Sequence, residues 1–436
     1  MVPSKGEAMQ IAILLIVIVN LMAMVIYAFV YKDRLTYVHY LSALFILSNI
    51  VKPVAILIYG ESLLYQTLYS DIQYAQALLY ASVCYWLYLL GFQLFWSRKN
   101  ADTLLATTSK TGTYPLFDWF NLLLCVLGLG AMFISLGTSF LVTNRTSSIS
   151  AAFPMLRYFY PFLLISSALL IAQGFNLILD KNRLFQAGLF SLVGFGTTMA
   201  IAQRGFALSA LVFIALLYFQ FSLKINKKLA VLVVVFIFVV FSRNIAFTVF
   251  SGLDKAAPAT RMSMAEKIVR TPDGDSTEVW MVVLALVEKK GFLWGQSIIN
   301  SAFVLLPNNV RVALGVPTGL DQLNLFYTGP SYLTLKFGFN VNAAQELFLN
   351  FGPLSFLIQF FGGVFVAKAY QFAARNIESR QEYIYYMLPV LAAINAASSF
   401  AGLQWSLLMI GYYVGFLVIK KMTNRKEIML ADRPLA

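Results

Sequence analysis

Thr271-Pro272-Asp273-Gly274-Asp275-Ser276 lies inside the longest polar segment of the chain, and what surrounds that segment decides the fold. The segment covers residues 252–345. It opens with Asp254-Lys255, carries Arg261 and Arg270, and runs through Asn342-Ala343-Ala344-Gln345 into Glu346. Two short apolar stretches interrupt it, 279–287 and 298–306. On either side the chain is almost continuously apolar, in runs such as 10–30, 74–95 and 117–136. A helix needs about 20 apolar residues to cross a bilayer, and each of these runs reaches that length.

Counting outward gives eight such runs before the polar segment and three after it. The expectation is an all-α polytopic membrane protein with about 11 transmembrane helices and one large extracytoplasmic loop. Residues 1–251 would form an N-terminal bundle of about eight helices, and residues 252–345 the loop with short amphipathic helices. Residues 346–436 would supply about three further helices and a cytoplasmic tail. The composition agrees: 60% of the 436 residues are hydrophobic and only 12% charged, against about a quarter charged in soluble domains. The first run is long and lacks a small-residue cleavage site, so it reads as a retained helix.

The net charge of +13 does not point to nucleic acid. Eighteen of the 32 basic residues fall in one alternating set of short loops and tails, among them Arg98, Lys181, Lys227 and Lys420. The large segment holds eight basic residues against seven acidic ones. The richer set belongs in the cytoplasm, which places the large loop outside and the C-terminus inside.

Counting also limits the chemistry. His39 is the only histidine and lies outside the loop, so a histidine-based zinc site or histidine base there is excluded. Cys84 and Cys125 lie in apolar runs and read as small hydrophobes. No spacing specifies a metal, and no cofactor motif is present.

Four arginines fall towards the outer face on this topology: Arg157, Arg204, Arg243 and Arg311. Arg204-Gly205 interrupts an apolar hairpin with almost no loop around it. A guanidinium at membrane depth is costly, and its fork of donors matches phosphate oxygens. Converging arginines therefore point to a pyrophosphate at the membrane surface, while single ones also snorkel to lipid headgroups. Glu346 and the Asp273–Asp275 turn offer carboxylates that accept a proton from a hydroxyl. Glu346 also fits a helix N-terminal charge, and the aspartates an ordinary turn. Trp280, Trp294, Tyr327 and Tyr332 in the loop fit either packing or stacking on sugar rings. Lys52, beside Pro53 inside the second run, fits an ion pair, a lipid phosphate or a polar cavity.

Several of these residues together resemble the Wzy-type family of O-antigen (oligosaccharide repeat-unit) polymerases. The resemblance rests on Arg204-Gly205, Arg243, Gly274-Asp275, Leu306-Pro307 with Arg311, and Glu346-Leu347-Phe348-Leu349-Asn350-Phe351-Gly352. The last looks like the family's Glu-x-x-x-Asn-Phe-Gly element. The pattern spans residues 194–372. It departs from the family at Arg311, which Asn308, Asn309 and Val310 separate from the loop proline.

The resemblance implies a glycosyltransferase of GT-C-like helical architecture in the bacterial inner membrane, with its site facing the periplasm. It would pass a growing glycan from undecaprenyl pyrophosphate to another lipid-linked unit, with a chain-length regulator as partner. On that view Arg204, Arg243, Arg157 and Arg311 hold the pyrophosphate, and Glu346 or Asp275 is the base. Trp280, Tyr327, Tyr332 and Asn350 contact sugar. The competing expectations are an O-antigen ligase, which relies on a loop histidine absent here, and a lipid-linked oligosaccharide flippase.

Overall fold

The computed structural model describes residues 5–30, 49–50, 53–54, 71–96, 115–136, 156–178, 181–201, 276–301, 303, 310, 313–317, 319–328, 342–377, 380–398 and 403–431. Among the described residues the regular structure is entirely helical. Four of these helices contain stretches long and apolar enough to cross a membrane: Gln10–Tyr27, Ile72–Phe95, Leu116–Ile134 and Leu354–Asn376. The chain divides into two compact units. One comprises Met1–Ser97, Pro258–Gln371 and Leu391–Ser406, the other Arg98–Ala257, Phe372–Val390 and Leu407–Ala436.

In the first unit, α1 (Lys5–Val30) buries Ile13, Val17, Asn20 and Met24 at helical spacing and leaves Leu15, Val19, Met22 and Ile26 exposed. Its buried face meets α2 (Asp71–Phe95). Asn20 sits in the middle of an apolar helix, where an unmade hydrogen bond would be costly. Its amide nitrogen donates to Ser82 Oγ at 2.8 Å, and its oxygen accepts from the indole of Trp86 at 2.7 Å.

In the second unit, α3 (Pro115–Leu136), α4 (Leu156–Leu177) and α5 (Leu184–Ile201) pack on one another. A β-carbon on Gly194 would lie 2.9 Å from the Ser167 carbonyl oxygen, so α4 and α5 approach through a small residue. Polar residues fasten this unit as well. Ser166 Oγ lies 2.9 Å from Asn121 Oδ1 and 2.6 Å from the Tyr412 hydroxyl, and Tyr385 donates to Asp118.

The polar segment of the sequence is less loop-like than its composition implies. Ser276–Lys290 is a helix, α6, and Val279, Trp280, Met281, Val282, Val283 and Leu286 are all buried. They join Ala77, Leu78, Ala81 and Cys84 of α2 and Ile13 and Val17 of α1 in one hydrophobic cluster. The stretch 279–287 is therefore core, packed against a long apolar helix. Among the described residues three short helices follow: α7 (Gln296–Ser301), α8 (Gly319–Thr328) and α9 (Ala343–Phe351). α8 packs on α6 and α9, and α7 packs on α9.

The next helix, α10 (Leu354–Asn376), follows at once after Gly352-Pro353. It lies close to α2: a β-carbon on Gly91 would run into the Phe360 carbonyl, and one on Gly363 into that of Tyr88. Gly residues at such crossings let two backbones touch, which is how helices associate where lipid removes the hydrophobic drive. α11 (Arg380–Ser398) and α12 (Leu403–Ala431) complete the described helices. In the second unit they are joined by an ion pair, Lys420 Nζ to Glu382 Oε1 at 2.8 Å, with the Tyr386 hydroxyl 3.4 Å from Lys420 Nζ.

Candidate functional site

Asn342 starts α9 with a capping box. Its side chain accepts from the Gln345 backbone N–H at 2.9 Å, and the Gln345 side chain accepts from the Asn342 N–H at 2.9 Å. Two of the donors that a helix start leaves over are thereby satisfied. The other end is equally well closed. Gly352, at φ +57, donates its N–H to the Phe348 carbonyl at 2.8 Å. The carbonyls of Leu349 and Asn350, which the helix cannot satisfy itself, accept from Leu293 N–H and Trp294 N–H, each at 3.0 Å. The turn at residues 291–295 is thus fixed on the C-terminal end of α9. Gly291 and Gly295 take positive φ values, +76 and +87, that suit glycine.

That attachment sets α7 beside α9 and brings three buried polar side chains together. Ser297 Oγ donates to Glu346 Oε1 at 3.0 Å. Asn350 Nδ2 donates to Ser297 Oγ at 2.6 Å and to the Glu346 carbonyl oxygen, one turn back, at 2.7 Å. The Ser297 backbone nitrogen lies 3.4 Å from Asn350 Oδ1. Glu346 is 2% exposed, and Ser297 and Asn350 are no more so. A buried carboxylate is tolerated only where donors surround it, and here an amide and a hydroxyl are lined up to supply one. The arrangement fixes one oxygen of Glu346 on the Ser297 hydroxyl.

The structure places the other expected site residues unevenly. Glu346 and Asn350 come together, as the Glu-x-x-x-Asn spacing of one helical turn implies. Trp280 is 1% exposed, stacked on Tyr80 with centroids 6.2 Å apart and edge-on to Phe348 at 5.3 Å. It is a core residue with no ring face open to a sugar. Tyr327 lies on α8 and Arg157 on the first turn of α4, with side chains outside the described residues. Arg204, Arg243, Arg311, Asp275 and Tyr332 also lie outside the described residues. Ser297 is the participant that sequence reasoning missed. It stands 49 positions from Glu346, and only the glycine-flanked turn before it hints at a fixed conformation.

Comparison of the chain with family models, with curated proteins and with solved structures finds no match in any of the three.

Proposed function

We propose that this chain is a membrane glycosyltransferase that polymerises lipid-linked oligosaccharide repeat units, with Glu346 as the general base. The observation that carries the reading is the buried Asn350–Ser297–Glu346 chain of hydrogen bonds, within the sequence element that resembles the polymerase family. In the reaction, Glu346 takes the proton of an acceptor sugar hydroxyl, whose oxygen attacks the anomeric carbon of the donor glycan. The bond from that carbon to pyrophosphate breaks, and undecaprenyl pyrophosphate leaves. Arg204, Arg243, Arg157 and Arg311 are proposed to neutralise the charge that develops on the leaving group. Asp275 is the alternative base. The reaction would take place at the periplasmic face of a bacterial inner membrane.

One observation favours a second reading, a lipid-linked oligosaccharide transporter. Asp118 is buried near the start of an apolar helix, hydrogen-bonded to Tyr385, and buried acids in such helices often serve transport.

A single experiment separates the two. Purified protein is given undecaprenyl pyrophosphate-linked repeat units, and the products are resolved by gel and mass. A ladder of longer glycans, lost in Glu346→Gln, Arg204→Ala and Arg243→Ala variants that remain folded, supports polymerisation. Absence of any ladder, with movement of the lipid-linked unit across liposomes that Asp118→Asn abolishes, overturns it in favour of transport.

A further inference from the structure

Trp294 is the only non-glycine residue with positive φ among the described residues, at +49, and it is 74% exposed. Both properties are costly. A bulky side chain at positive φ is a backbone outlier, and it persists only where the surroundings impose it. Here they do. The Trp294 N–H is held by the Asn350 carbonyl, Leu293 by Leu349, and Gly291 and Gly295 absorb the rest of the turn. The indole stands edge-on to Phe292, with centroids 6.0 Å apart at 82°. Phe292 is itself anchored edge-on to Phe348 and lies over Gly352. The result is a rigidly mounted, exposed aromatic ring, fastened to the end of the helix that carries Glu346.

We propose that Trp294 is a stacking platform for a pyranose ring of the glycan that enters the Glu346 site. The inference rests on the carbohydrate reading of that site. Its backbone anchor, Asn350, lies four residues beyond Glu346, about one turn further along the same helix. An indole face offers such a ring a large apolar contact with little conformational entropy to lose. A tryptophan that only dips into the membrane interface needs no such fixing. The exposed apolar side chains that follow, Ile299, Phe303 and Leu314, have none of its backbone strain and suit lipid as they are.

The test uses full-length protein in nanodiscs with its six tryptophans replaced by 5-fluorotryptophan. The Trp294 fluorine resonance is assigned by its absence from Trp294→Phe. Two probes are applied: the soluble oligosaccharide released by mild acid from the source cell's lipid-linked repeat unit, and nitroxide-labelled phospholipid. The proposal expects the Trp294 line to shift with the oligosaccharide and to escape nitroxide broadening. It expects binding about tenfold weaker in Trp294→Ala and largely kept in Trp294→Phe. Trp294→Gly suits φ +49, so it keeps the turn folded while removing the ring. It should bind as weakly as Trp294→Ala. Broadening by the lipid without an oligosaccharide shift, or no response to either probe, overturns the proposal. An oligosaccharide shift without a polymer ladder sinks the polymerase reading alone, and a ladder with an unmoved Trp294 line sinks this one alone.

Discussion

Ser297 and Glu346 are 49 positions apart in sequence, yet the serine hydroxyl donates to the glutamate carboxylate at 3.0 Å in a buried site. Ser297→Ala would leave Glu346 and Asn350 each short of a partner. The expected cost is about 1–3 kcal/mol, read as a lower melting temperature of the purified protein. A double-mutant cycle with Asn350→Ala should show a coupling of about 0.5–3 kcal/mol, because both side chains belong to one network. Strict additivity would mean that the two act independently.

Glu346→Gln keeps the size of the side chain and an oxygen for Ser297 to bond, so the fold should tolerate it. If Glu346 is the base, glycan extension should fall by about 10²–10⁴-fold. The acid limb of the pH–rate profile should vanish with it, since the base works only when deprotonated. A variant that retains wild-type turnover, or keeps the acid limb, would transfer the role to another carboxylate.

At the crossing of α2 and α10, Gly363→Ala places a methyl group against the Tyr88 carbonyl. Backbone cannot swing aside as a side chain can, so the helices must separate. We expect a loss of about 1–3 kcal/mol, measured by thermal or denaturant unfolding in detergent. Gly411→Ala meets nothing within 4 Å and should be neutral, which makes it the control.

Lys420→Met removes the cation 2.8 Å from Glu382, whose side chain is 2% exposed. Removing one partner of a buried ion pair costs about 3–5 kcal/mol. The double variant Lys420→Met, Glu382→Gln should recover most of that loss. If it is no more stable than Lys420→Met alone, the ion pair is not what the lysine contributes.

The long apolar helices were legible because lipid-crossing length leaves few alternatives. The runs 10–30, 74–95 and 117–136 correspond closely to α1, α2 and α3. The stretch 279–287 was not legible in the same way. It is too short to span a bilayer and sits among charges, and sequence alone cannot distinguish a short helix on a surface from one that a protein buries. Trp280 and Trp294 show the limit most plainly. They are chemically identical and 14 positions apart, yet one is core and the other exposed, because a glycine turn, and no local apolar pattern, fixes the second. Within the candidate site, Glu346 and Asn350 were readable from their spacing on one helix. Ser297 was not, since its place depends on a turn hydrogen-bonded to carbonyls about 50 residues away.

That turn makes the site sensitive to length as well as to composition. Leu293 and Trp294 are matched in register to Leu349 and Asn350, and Ser297 follows at a fixed offset. Inserting or deleting one residue between 291 and 296 would carry the serine away from the glutamate even if every side chain were retained. This part of the chain should therefore accept many point substitutions before it accepts a single change in spacing.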